Sequence, residues 1–208
     1  MNKIARKVNL FSVIQNLIKQ NVKAIIFFVV VIMIVIAGLQ IYFFYKNKKI
    51  LELSITYNNS KYSNSQMDFI EQMNKIAETK SFYGIMASLE LINNKISNNK
   101  YNESYNDYLG LLNNKKIDNL YKTIIAVHSS YNLFDKISNE NINKLISYID
   151  DSLDSFTGNR LELLFLLSIK QGNINKSNSL YKQILEDDRI SLAIKERVKK
   201  INEFEKYN

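Results

Sequence analysis

The 208-residue sequence predicts an all-α protein, with one transmembrane helix near the N-terminus followed by an α-solenoid of helical hairpins. Three observations lead there. Proline and cysteine are absent and glycine occurs only five times, a composition that disfavours sandwiches, barrels and Gly-rich phosphate loops and leaves helices unbroken. The run Ala24–Tyr45 carries no charge. From Ile50 onward apolar residues recur with a period near 3.6, with no sustained strand alternation.

Residues 1–23 read as a basic cytoplasmic segment. Val8, Phe11, Ile14, Leu17 and Ile18 recur there at helical spacing, consistent either with an amphipathic helix on the membrane face or with a loosely ordered tail. Residues 24–45, AIIFFVVVIMIVIAGLQIYFFY, are the transmembrane helix. At ~1.5 Å per residue the run is about 33 Å long, enough to cross a hydrocarbon core of ~30 Å. Each Ile, Val, Leu and Phe favours insertion by roughly 0.3–0.6 kcal/mol. Tyr42 and Tyr45 fall where an interfacial aromatic belt would lie, beside Lys46, Lys48 and Lys49. A cleaved signal peptide has a shorter apolar region and a small-x-small end, whereas here Ala37-Gly38 is followed by more apolar sequence. Lys3, Arg6, Lys7, Lys19 and Lys23 precede the span and outnumber the three lysines that follow it closely, which favours a cytoplasmic N-terminus.

The net charge of +8 is confined to residues 1–50, which hold eight bases and no acid. The remaining bases and acids cancel, so the soluble part lacks the basic excess of a nucleic-acid binder.

Residues 46–80 are predicted to be a helical connector and residues 81–208 a helical repeat domain with a C-terminal capping helix. The clearest helix covers about Asp118–Lys136, where Leu120, Ile124, Val127, Tyr131 and Phe134 form one stripe and Asp118 is the N-cap. Ile142, Leu145, Ile146, Ile149 and Leu153 predict a second helix over about Asn141–Asp154. Leu161–Ile169 is apolar nearly all round, suiting a helix buried between neighbours, and Gly172-Asn173 ends it. Ile190, Ile194, Val198 and Ile201 form the inward face of the cap, with Lys195, Arg197, Lys199 and Lys200 directed elsewhere. An internal repeat underlies this pattern. Ser104, Tyr108, Leu111 and Leu112 recur as Ser177, Tyr181, Ile184 and Leu185, displaced by 73 residues, as are Leu91 to Leu164 and Ile96 to Ile169.

Residues able to do chemistry are few. His128 is the only histidine, with no second His or Cys for a common relay, and it reads as a boundary residue. Asp150, Asp151 and Asp154, like Glu186, Asp187 and Asp188, crowd carboxylates at helix ends without a metal-ligand spacing. No catalytic residue, metal site, cofactor or small-molecule substrate is predicted.

The segment SFYGIMASLELINNKISNNKYNESYNDYLGLL resembles tetratricopeptide-like units. Ser104 and Ser177 stand at the small position of the second helix, Tyr108 and Tyr181 at the aromatic one, and Gly172 at the turn. Ile92 and Phe165 replace the usual small residue of the first helix, and the middle hairpin follows the pattern poorly. The whole layout is similar to the YfgM-like family of ancillary SecYEG translocon subunits. That resemblance implies a bacterial inner-membrane protein with a periplasmic domain, and as partners the SecYEG translocon and a periplasmic chaperone receiving exported chains. A structural or scaffolding component of an envelope assembly is the alternative. In stacked hairpins the first helices line the concave side. Met86, Asn93, Asn159, Glu162 and Leu166 are therefore the candidate protein-binding lining, with about half of them expected to be exposed.

Overall fold

The computed structural model describes residues 10–79 and 81–205, and among them every regular element is a helix. Helix α1 runs Leu10–Lys61, α2 Gln66–Ala77, α3 Phe82–Ser97, α4 Tyr101–Leu112 and α5 Asn119–Leu133. They are followed by α6 Asn139–Ile146, α7 Asp154–Lys170, α8 Ile174–Glu186 and α9 Leu192–Glu205. The chain divides into two compact units, Met1–Asn58 and Asn59–Asn208.

In the first unit α1 is interrupted at Asn21, whose φ of −116° and ψ of 17° break the helical geometry. The backbone before the apolar run is thus helical from Leu10 and kinked where the run begins. Within the helix beyond the kink, the apolar window has a mean hydropathy of 3.0 and no buried residue, so it is long and apolar enough to cross a membrane. Lys3, Arg6 and Lys7 lie outside the described residues. Lys19 is on the helix before the kink, and Lys23 is exposed just past it.

The second unit is a stack of hairpins. α3 packs on α4, α5 on α6 and α7 on α8, and each second helix also meets the next first helix. First helices stack in turn, α5 on α7 and α7 on α9. Five helix starts are locally explained: Ser65, Ser81, Asp118, Ser138 and Asn173 cap their helices by accepting a bond from a first-turn amide. One core joins α3 to α7 through Ile92, Tyr108, Leu112, Ile125, Leu133, Ile142, Leu145, Ile146 and Leu163. A second joins α7 to α9 through Leu161, Phe165, Leu180, Ile184, Ile194 and Val198.

The repeat carries through to the backbone. The turns between α3 and α4 and between α7 and α8 each hold one residue with positive φ, Asn99 at 60° and Gly172 at 67°. These two sit 73 positions apart, the displacement of the sequence repeat. Both Ile92 and Phe165 are buried, so the first helices use large residues where a regular unit has a small one. The equivalence loosens further along. Tyr108 is fully buried, while Tyr181 is half-buried against the Phe165 ring.

Two helices differ from expectation. On α5 the stripe of large residues meets the core only in its later half: Val127, Tyr131 and Phe134 are partly buried against it, while Leu120 and Ile124 are exposed. The buried face is Thr123, Ile125, Ala126, Ser129, Ser130 and Leu133. Neighbours on several sides require close approach, and small residues permit it. The helix expected over Asn141–Asp154 ends at Ile146. Tyr148 and Ile149 continue as tight turns bonded to Leu145 and Ile146, and the Ile149 side chain stays buried. Asp150 then fixes the loop by accepting from Ser152 and Asn119, while its own amide donates to the Thr123 hydroxyl. The hydrogen bonds from Ser152 hold its carboxyl below the usual range.

A Cβ at Gly172 would meet nothing within 4 Å, so a side chain there is opposed by backbone conformation alone. Gly172→Ala should cost about 1 kcal/mol in denaturant unfolding followed by circular dichroism, while Asn99→Gly should be neutral or mildly stabilising.

Candidate concave binding face

The face built by the first helices is defined by a bonded chain of side chains. Glu162, on α7, is 2% exposed. Its Oε2 accepts from the Tyr131 hydroxyl of α5 at 2.6 Å. Its two oxygens also accept from Arg197 of α9, at 2.8 Å from Nε and 2.7 Å from Nη2. One carboxylate thus ties three successive first helices together on one side of the stack. A fork-to-fork pairing of this kind is planar and directional, which suits it to fixing register. Burial, with the negative Glu162 beside it, pushes the Tyr131 phenol up, and Glu162 raises the Arg197 guanidinium. Nearby, Lys170 of α7 donates to the last-turn carbonyl of Phe134 at 2.7 Å and lies over the Phe134 ring.

Residues three and four positions apart share a helix face. Tyr131 therefore carries Val127, Ile124 and Leu120 onto the same side of α5, and Glu162 carries Asn159 and Leu166 onto the same side of α7. Leu120 is 44% exposed and Ile124 40%. At the start of this stripe the Tyr121 ring meets Phe82 of α3 at 5.9 Å between centroids. On α3 Glu90 pairs with Lys61 at 2.7 Å, and Met86 and Asn93 flank it on the same face.

The five residues expected to line the concave side thus differ in state. Met86, Asn93, Asn159 and Leu166 are half-buried, with part of each side chain accessible. Glu162 is closed off by its two partners and acts as the clamp beneath the face, not as a contact on it. Sequence reading did not assign Leu120 and Ile124 to this surface, because their stripe was read as a core face. A second stripe on α5 (Thr123, Ala126, Ser130 and Leu133) was the available signal, since two competing stripes on one helix mean that one faces outward.

His128 lies beside this face. Its Nδ1 is 2.9 Å from the Tyr108 hydroxyl, and Asn132 Nδ2 is 3.1 Å from its Nε2. Burial lowers the imidazole below its ordinary value, opposed in part by the charge of Glu90, and burial pushes Tyr108 up to about 12. Three of the acidic groups at helix ends, Asp151, Asp154 and Asp187, are engaged by arginines. Arg189 bridges Asp154 at 2.7 Å and Asp187 at 2.8 Å, and Arg160 pairs with Asp151 at 2.7 Å. Hydrogen bonding from Arg189 holds the Asp187 carboxyl at about 2. Among the described residues no group of three or more His, Asp or Glu is placed to hold a metal ion.

The sequence profile of the tetratricopeptide repeat-like domain matches residues 16–189, which include the apolar helix and the hairpins through α8. The chain belongs to this tetratricopeptide repeat-like family. No curated protein and no solved structure shows significant similarity to it. The family's fold is a protein-interaction scaffold, so the tetratricopeptide-like face built by α3, α5, α7 and α9 is where protein partners are to be sought.

Two outcomes test this geometry. Glu162→Ala leaves the Tyr131 hydroxyl and Arg197 without their acceptor and should destabilise the chain by about 2–3 kcal/mol in urea unfolding. The lower part of the usual range applies because Arg197 keeps access to water. His128 has a folded pKa below its unfolded one, so its contribution is fully present above the ordinary value near 6.5 and is lost as pH falls through that value toward the lowered one. The unfolding midpoint should drop over that window, and His128→Gln should flatten the drop.

Proposed function

We propose that this protein is a membrane-anchored protein-interaction module, ancillary to the SecYEG translocon, that presents its concave face to newly exported chains and to a periplasmic chaperone. The observation that carries this reading is the exposed Leu120–Ile124 stripe on a face clamped by Glu162. It offers apolar contact on a rigid support, which suits extended or helical segments of clients. The unburied apolar helix supports a membrane anchor. The five basic residues Lys3, Arg6, Lys7, Lys19 and Lys23 ahead of it support a cytoplasmic N-terminus and a periplasmic domain. In this layout residues 1–23 are cytoplasmic, 24–45 cross the inner membrane, 46–80 connect, and 81–208 bind. Met86, Asn93, Asn159 and Leu166 are proposed as contacts beside Leu120 and Ile124. Binding, without catalysis, is the whole of the activity proposed.

Site-specific photo-crosslinking from Met86 and Ile124 in intact cells, with captured proteins identified by mass spectrometry, tests the reading. Translocon subunits, a periplasmic chaperone or nascent exported chains should be captured, and Ile124→Glu should reduce the yield several-fold while leaving stability within about 0.5 kcal/mol. Capture of only an unrelated envelope complex would overturn the translocon assignment.

A further inference from the structure

Helix α1 holds a second interaction surface ahead of the apolar run, in the stretch Leu10–Gln20. Successive residues of a helix are ~100° apart around its axis. At that spacing Leu10, Phe11, Val13, Ile14, Leu17 and Ile18 fall within one arc of roughly 160°, and Ser12, Gln15, Asn16, Lys19 and Gln20 all fall outside it. No position in the stretch departs from that division.

Two features set this stretch apart from the helix that follows. Asn21 departs from helical φ and ψ, so the backbone on its two sides need not share one axis. Beyond it Ala24–Tyr45, at about 33 Å, already fills a hydrocarbon core of ~30 Å. If Leu10–Gln20 continued the span, Lys19 and the polar residues Ser12, Gln15, Asn16 and Gln20 would enter hydrocarbon, where no water satisfies them. If the stretch stood free in water, its whole apolar arc would stay hydrated. The boundary between headgroups and acyl chains suits both arcs at once.

We infer that Leu10–Gln20 lies in the surface of the leaflet where the apolar run begins, its apolar arc toward the acyl chains, with anionic lipid as its partner. This inference rests on the membrane-anchor reading above. Continuity selects the lipid surface over a protein. Only Asn21, Val22 and Lys23 separate Gln20 from Ala24, so a chain anchored through the run keeps the arc beside the headgroups at all times, whereas a separate partner must arrive by diffusion. Charge selects anionic lipid, because residues 1–23 hold Lys3, Arg6, Lys7, Lys19 and Lys23 and no acid. An arm seated in this way sets the level at which the run enters the bilayer.

The chain contains no tryptophan, so a single introduced one reports its own surroundings. Phe11→Trp, Ile14→Trp and Ile18→Trp mark the apolar arc, Gln15→Trp and Asn16→Trp the polar arc, and Ile34→Trp the middle of the run. Each full-length variant is reconstituted into vesicles of phosphatidylethanolamine and phosphatidylglycerol, with lipids brominated at shallow or deep acyl positions as quenchers. Tryptophans on the apolar arc should emit at shorter wavelength and be quenched several-fold more by shallow bromines than those on the polar arc, which acrylamide should quench instead. In vesicles of zwitterionic phosphatidylcholine, acrylamide quenching of the apolar arc should rise several-fold, and no change would overturn the assignment of anionic lipid. Equal quenching of the two arcs would overturn the interfacial helix. Short-wavelength emission untouched by bromines would do the same, because a protein surface, from a second copy or another chain, would then cover the arc. Ile34→Trp separates the two readings: deep bromines should quench it, and failure to do so sinks the membrane anchor itself.

Discussion

α5 touches α4, α6 and α7, and it fits among them because the face it turns inward carries Thr123, Ala126, Ser129 and Ser130. Side chains of that size let three neighbours approach one helix closely, and the cores on both sides are built around that approach. The constraint has a consequence for the rest of α5. With Ile125 and Leu133 these small residues fill the inward positions, and Leu120 and Ile124 stand outside, on the side where the first helices stack. The candidate binding face is thus partly a by-product of close packing.

That face also needs a fixed curvature, and apolar contact alone sets curvature weakly because it is non-directional. Glu162 supplies direction. A carboxylate that accepts from Tyr131 on one side and from Arg197 on the other admits only a narrow range of spacing between α5, α7 and α9. Breaking such a pair leaves a buried group uncompensated, so its value lies in specifying an arrangement more than in adding stability. Here it specifies the stacking of the last three first helices.

Much of the fold was legible because helix periodicity and capping are local. Asp118 accepts from the Leu120 amide as its position before an apolar-periodic run requires, and Gly172 takes the left-handed turn expected of it. The repeat was legible for the same reason, and the structure extends it to the turn residues Asn99 and Gly172. What failed to show was long-range. Periodicity reports that α5 has a stripe of large residues but not which side its neighbours occupy. It likewise carried the helix at Ile142 past its end, because Ile149 keeps its inward position in a tight turn as well as it would in a helix. The Glu162 clamp was invisible for a further reason. Its partners lie 31 and 35 residues away on other helices, and an acid inside LELLFLL gives no local sign of what neutralises it.

The distribution of charge joins the two units into one functional argument. All of the net charge lies within the first 50 residues, around the apolar run, which is where the proposed membrane anchor has use for bases. The rest of the chain is neutral overall, and Asp151, Asp154 and Asp187 at its helix ends are committed to Arg160 and Arg189. A neutral domain with an apolar stripe discriminates little between partners by charge and has no steering field to draw in one sign of ligand. Under the proposed function it selects instead for accessible apolar sequence, which folded proteins hide and newly exported chains expose. In the proposed function encounter comes from placement instead, which an N-terminal membrane anchor supplies.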